Sequence, residues 1–294
     1  MSPISIPGKV QLRKNYSGIG PLDFYGGAAA AYSLRSLSAA YTGPVVRVRR
    51  DNDNAASDFT AKEVSDGTLA AWVGAGNNGL VRTWYDQSGN GNEAGQSVYN
   101  NQPAIVLSGS LIMQGSKPAI SMGAVTSDNK LGIAGGIPAS TYTASMFIAA
   151  KSDIASYSSG TGSDRLASCA YDGSDNRLYF GTNRNGATQS ILSGNYGTLP
   201  FELYSSAATF GTNPFVFSST ATPTFAVAHF NSQQCFSGSI SPTNTGITSQ
   251  LVEFGGGGNG YWDGVYQEIL LYQSDQSSNR AAIEDNINTY YSIF

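Results

Sequence analysis

Charge is what this sequence has least of. Asp, Glu, Lys and Arg make up 12% of it, about half the share usual in globular domains. Long solvent-facing helices draw on Lys and Glu, so a mainly helical protein is excluded. The net charge of −4 offers no global attraction to a polyanion, which excludes nucleic acid as a partner. One histidine and two cysteines are too few for a zinc centre. Cys169 and Cys235 stand far apart; two buried thiols are favoured, with an inter-strand disulfide left open. No apolar run reaches membrane-spanning length, so no membrane association is expected. Met1 is followed by Ser-Pro-Ile-Ser, without the apolar core of a secretory leader. Synthesis in a cytoplasm is therefore expected, with any exit by particle release.

Neutral polar residues, 35 glycines and 17 tyrosines fill the gap. Short runs rich in β-formers lie between Gly, Ser, Asn and Pro clusters. They predict strands at 45–50, 80–85, 104–107, 119–122, 143–150, 177–180, 225–230 and 264–272. This pattern predicts an all-β fold, a two-sheet antiparallel β-sandwich or jelly roll. Two short helices are expected. Ala30, Leu34 and Leu37 share one helical face within Ala28–Ser38. Ile283, Ile287 and Tyr290 line a C-terminal helix begun by Ser274 or Asp275. Residues 1–25 read as an N-terminal arm, punctuated by Pro3, Pro7, Gly18 and Pro21 and carrying Lys9, Arg13 and Lys14. Residues 26–294 form one domain.

Arg47, Arg49 and Arg50 alternate with Val46 and Val48, which predicts a solvated or carboxylate-paired strand face. Asp51, Asp53 and Asn54, and again Asp172, Asp175 and Asn176, carry hard oxygen donors of the calcium type. Neither group completes an EF-hand loop. Solvated turns are the default, and no cofactor or metal is expected. His229 alternates with Phe225 and Val227, the place of a packed histidine rather than a general base.

Three segments carry a resemblance. Residues 31–52 run Ala-Tyr-Ser-Leu-Arg-Ser-Leu-Ser-Ala-Ala-Tyr-Thr-Gly-Pro-Val-Val-Arg-Val-Arg-Arg-Asp-Asn. Residues 83–92 run Thr-Trp-Tyr-Asp-Gln-Ser-Gly-Asn-Gly-Asn, and residues 262–272 run Trp-Asp-Gly-Val-Tyr-Gln-Glu-Ile-Leu-Leu-Tyr. The first two resemble the catalytic domain of the arabinofuranosidase B family, and also non-catalytic modules of phage and algal-virus structural proteins. The third resembles the closing strand of laminin-G and concanavalin A-like sandwiches. The resemblance implies a concanavalin A-like jelly roll.

A glycosidase needs two carboxyl groups across the scissile bond. The resemblance implies an acid/base Asp in the glycine-rich stretch before the last strand. Here that stretch, Gly255-Gly-Gly-Gly-Asn-Gly260, has no carboxylate. It also implies a mid-chain Glu nucleophile and a vicinal cysteine pair. No Glu lies between Glu93 and Glu202, and the cysteines are not adjacent. Glu253 and Asp263 flank the glycine run as the remaining candidate pair. Asp86, ahead of Gly-Asn-Gly, reads as a turn residue. Glu268 is expected on a strand face with Tyr266 and Leu270.

Sugar contact needs aromatic faces beside amide and carboxyl groups. Asn259, Tyr261, Trp262 and Asp263 cluster in that way, although Trp262 reads more readily as a core anchor at a strand end. The expectation is a non-enzymatic virion protein: a capsid decoration, fibre or tail-fibre adhesin with a lectin-like domain. It would sit in the particle and bind other virion proteins through the arm. Homo-oligomerisation, trimers being common in fibres, and host-surface glycan as ligand complete this expectation. The alternative is an arabinofuranosidase-like glycoside hydrolase with displaced carboxylates.

Overall fold

A computed structural model describes residues 20–123, 129–137, 143–153, 163–171, 176–184, 189–195, 212–239, 250–257 and 260–294. The elements in chain order are β1 Ala30–Ser33, β2 Val46–Arg50, β3 Ala56–Phe59, α1 Ala61–Ser65, α2 Thr68–Val73, β4 Gly79–Trp84, β5 Ala94–Gly95 and β6 Ala104–Leu107. Next come β7 Ile120–Ser121, β8 Leu131–Ile133, β9 Ala144–Ser152, β10 Ser163–Tyr171, β11 Asn176–Arg184 and β12 Gln189–Asn195. β13 Pro214–Ala221, β14 Phe225–Phe230, β15 Gln233–Ser239, β16 Gln250–Phe254, β17 Gly264–Tyr272 and α3 Arg280–Tyr291 follow. Shorter two-residue ladders link some of these.

The fold is all-β and antiparallel, a two-layer sandwich. In one layer β17 is central. β1 pairs with its C-terminal half (Ala30 opposite Leu271) and β7 with its N-terminal half (Ile120 opposite Tyr266). On its other edge lies β9 (Ile148 opposite Ile269), followed by β13, β14 and β15. The second layer runs β3, β2, β4, β5, β8, β16, β10, β11, β12. β6 belongs to both, pairing with β4 and with β7.

Side chains alternate between the two faces of each strand, and in the central strands both faces are buried. Ile148, Tyr266, Ile269 and Leu271 of one layer face Val48, Val81, Trp84 and Phe254 of the other, all inaccessible or nearly so. The Tyr32 ring meets Trp84 at 5.6 Å and Phe254 at 5.4 Å between centroids, so aromatic edges stitch the layers together. The outer face of β17 is also covered. Leu270 and Tyr272, with Phe147, Ala149 and Val216, pack against Ile283, Ile287 and Tyr291 of α3.

The helix expected over Ala28–Ser38 is instead strand β1. Its alternation is hidden because both faces are buried: Ala30 and Tyr32 enter the inter-layer core and Ala31 the core under α3. The turn after β4 supplies the missing neighbour on its free edge. Ala31 N–H donates to Asp86 Oδ1 at 2.8 Å, and Gln87 N–H donates to Ala31 O at 2.8 Å. Gln87 Nε2 donates to the carbonyls of Ser33 and Arg35, each at 2.9 Å, and its Oε1 accepts from Leu37 N–H at 2.8 Å. Asn90 and Asn92 donate to the carbonyls of Ala28 and Ala29. Side chains thus act as a strand, and a helix would forfeit these bonds.

Three α-helices are described rather than two. Thr60 caps α1, and Glu63 reaches back to the Thr60 N–H at 2.8 Å, a capping box written plainly as Thr-Ala-Lys-Glu. α3 begins at Arg280, after a Gln276–Asn279 turn, and not at Ser274 or Asp275. It buries Tyr291 where Tyr290 was expected. Of the expected arm, residues 1–19 lie outside the described residues. Residues 20–25 pack on the body, with Leu22 N–H donating to Leu37 O and Tyr272 Oη donating to Tyr25 O.

The arginine strand divides. Arg47 pairs with Asp58 and Arg50 with Asp53 near the surface. Arg49 is buried on Gln102 and Asn54. Asp51 accepts from Asn78, and Asp53 from Arg50 and the Ala55 N–H. Those oxygens are therefore engaged by donors of the protein, Asp53's within its own turn and Asp51's across to Asn78. Asp172 and Asp175 lie outside the described residues. Cys235 is a free, half-buried thiol whose pKa burial raises to about 11; the Cys169 side chain is outside the described part.

Candidate active site

Most carboxylates are committed to structure. Asp86 is buried and accepts from Ala31, Ser88 and Asn92. Glu63 caps α1. Glu268 is fully buried and bidentate with Arg35, at 2.7 and 2.9 Å. Glu284 is buried between Arg280 and Ser232. Glu202 lies outside the described residues. His229 is buried, and desolvation, with Arg280 nearby, lowers its pKa. A histidine so placed stays neutral and packed.

Two further carboxylates meet at the end of the sandwich where β17 begins. Gly264 comes so close to β9 that a Cβ there would lie 2.2 Å from Lys151 O, so only glycine lets the two strands meet. This draws Asp263 alongside Asp153, whose N–H donates to Asp263 O at 3.0 Å. The Asp263 carboxyl lies directly over Gly123, since a Cβ built on Gly123 would fall 1.9 Å from Oδ1. Both aspartates are exposed. Partial burial, then the negative Asp153, raise the pKa of Asp263. Lys151 Nζ donates to Asp153 Oδ1 at 2.6 Å. One carboxyl that holds its proton longer than usual therefore stands beside a second that is ion-paired, the division of labour an acid and its partner need.

Glu253, the expected partner of Asp263, is on the same end but is paired with Lys130 at 3.1 Å. Of the expected sugar contacts, Asp263 is at this end and exposed. Trp262 is 1% exposed, with its ring 6.0 Å from Phe215 and 6.3 Å from Tyr266, so the core-anchor alternative describes its place. Tyr261 is described by backbone alone, and Asn259 lies outside the described residues. Asp153 and Gly123 were missed in the sequence because the contact with Asp263 joins segments distant along the chain.

A family model described as the catalytic domain of alpha-L-arabinofuranosidase B matches residues 21–124. The alpha-L-arabinofuranosidase B of Penicillium canescens is 36% identical over 93 residues, which cover 29% of this chain and 20% of that protein. A crystal structure of an arabinofuranosidase complexed with arabinofuranosyl-alpha-1,2-xylobiose superposes with a TM-score of 0.65 and 18% identity, covering 92% of this chain and 64% of the other. A GH54 α-L-arabinofuranosidase soaked with a cyclic sulfate inhibitor gives 0.67 at 17% identity, covering 92% and 65%. The chain thus spans about a fifth of the curated relative, and the structural likeness shows the shared fold. The matches run to a glycosidase catalytic domain. They overturn the expected virion role, the particle location and the non-enzymatic reading. The lack of acids in the glycine run argued for that reading, but an acid pair sits beyond the run, across β17 and β9. Similarity to the arabinofuranosidase B catalytic domain, along residues 21–124, is what the sequence and the fold together establish.

Proposed function

We propose that the chain is a glycoside hydrolase domain that removes arabinofuranosyl units from a polysaccharide. The observation that carries this reading is the Asp263–Asp153 pair, on a scaffold whose first third matches an arabinofuranosidase catalytic domain. Asp263, with its raised pKa, gives its proton to the glycosidic oxygen as the bond to the anomeric carbon breaks. Asp153 faces the positive charge developing on that carbon and takes the proton of the water whose oxygen forms the new bond to it. Lys151 holds Asp153 in place. Asn259 and Tyr261, next along the chain to this pair, are assigned to sugar contact.

The test is release of 4-nitrophenol from 4-nitrophenyl α-L-arabinofuranoside, with arabinose release from arabinoxylan as the second substrate. Asp263→Asn should lower kcat on arabinoxylan by about 10²–10⁴-fold, the range of a lost general acid, and far less on the aryl glycoside, whose 4-nitrophenolate leaves without needing a proton. Purified wild-type protein that cleaves neither substrate, or an Asp263→Asn variant as active as wild type on arabinoxylan, overturns the reading.

A further inference from the structure

Among the described residues, Tyr99 is an exposed aromatic with an uncommon support. It lies in the short turn of helix Tyr99–Asn101, and 49% of its surface is open, beside Val98 at 55%. The Arg49 guanidinium lies 4.3 Å from the ring centroid. That guanidinium is itself fixed, donating to Gln102 Oε1 at 2.8 Å, to Asn54 Oδ1 at 2.7 Å and to Tyr99 O at 3.5 Å. An aromatic side chain braced in this way loses little entropy on binding, and the face away from Arg49 is left to solvent.

Its position ties it to the acid pair. Lys130 N–H donates to Asn101 O at 3.1 Å, and Lys130 Nζ to Glu253. Gly255 packs against Asn129 O and the Met122 sulfur, and its carbonyl accepts from Trp262 N–H at 2.8 Å. Gly123 and Asp263 follow directly. These contacts, buried at Asn129, Met122 and Trp262, tie the Tyr99 turn to the end of the sandwich that carries Asp263. Asn100 is exposed beside the ring, and Arg49 and Lys130 nearby are engaged within the protein. Such a surface suits a neutral ligand with flat apolar faces and a rim of hydroxyls.

We propose that Tyr99 is a stacking platform for a neutral polysaccharide main chain, holding the polymer while a branch sugar reaches Asp263. The proposal rests on the hydrolase reading for the position of the cleaved sugar and on its own geometry for binding. Affinity electrophoresis of the full chain in gels containing soluble arabinoxylan tests it, with hydrolysis of 4-nitrophenyl α-L-arabinofuranoside measured in parallel. Tyr99→Ala should weaken retardation by about tenfold, Tyr99→Phe should restore it, and the aryl glycoside should be cleaved by both at the wild-type rate. Wild-type protein that is not retarded, a Tyr99→Ala variant retarded like wild type, or equal losses on polymer and aryl glycoside would each overturn the platform. Tyr99-dependent retardation by a protein that cleaves nothing upholds the platform while the hydrolase reading fails.

Discussion

Replacing Glu268 by Gln puts a number on the ion pair beneath α3. Glu268 is wholly inaccessible and Arg35 is 7% exposed. The carboxylate accepts from Arg35 Nε at 2.7 Å, from Arg35 Nη2 at 2.9 Å and from Tyr291 Oη at 3.1 Å. Arg35 also donates to Asn286 Oδ1 at 2.9 Å and lies 4.3 Å from the Tyr290 ring centroid. Gln keeps the shape and removes the charge. Arg35 then stays buried with only neutral amides, the new Gln side chain and Asn286, and two ring faces as partners, and its guanidinium cannot shed the proton. Removing one member of a buried pair costs about 3–5 kcal/mol. The bonds that Asn286 and the rings retain place this case near the lower end, about 3 kcal/mol. For a domain of this size that lowers Tm by roughly 6–12 °C. Urea unfolding followed by tryptophan fluorescence reads the free energy, and calorimetry reads Tm. The double variant Arg35→Met with Glu268→Leu should recover most of the loss, because the burial cost of the lone charge disappears with it. A Glu268→Gln protein within about 0.5 kcal/mol of wild type would refute the reasoning, since the pair would then be solvated or dispensable.

Two further substitutions separate support from chemistry. Asp86→Ala leaves the Ala31, Ser88 and Asn92 N–H groups without their acceptor and should destabilise by about 2–4 kcal/mol; lost hydrolysis with unchanged urea midpoint would instead make Asp86 catalytic. Gly123→Ala places a methyl where the Asp263 carboxyl sits. Because that carboxyl is exposed and can swing away, kcat should fall about tenfold or more while stability changes by under about 1 kcal/mol; unchanged kcat would remove Gly123 from the positioning of the acid.

All eight strands read from composition and spacing are present, because β-formers bounded by turn residues need no distant partner to be recognised, while β1, β3, β5, β8, β10, β12, β13, β15 and β16 were not read. Phe225–Phe230 and Gly264–Tyr272 match their predicted bounds. Thr60 and Glu63 carried an equally local signal, a capping box, which the reading passed over. β1 defeated periodicity for a physical reason. With small alanines buried on both faces, apolar residues recur at every position, and a helical face can be drawn through Ala30, Leu34 and Leu37. Its ladder with β17 and the bonds from Asp86, Gln87, Asn90 and Asn92 across space settle it as extended.

The sequence by itself determined an all-β chain, its turn chemistry and the lack of acids in the glycine run, since these follow from residue type and immediate neighbours. Tertiary structure alone decided that Trp262 is covered by Phe215 and Tyr266, that Glu268 is locked to Arg35, and that Asp263 meets Asp153 over Gly123. Each of these depends on which strands lie side by side. A carboxyl becomes an acid or a structural ion through the burial and charge around it, and those are properties of the packed chain.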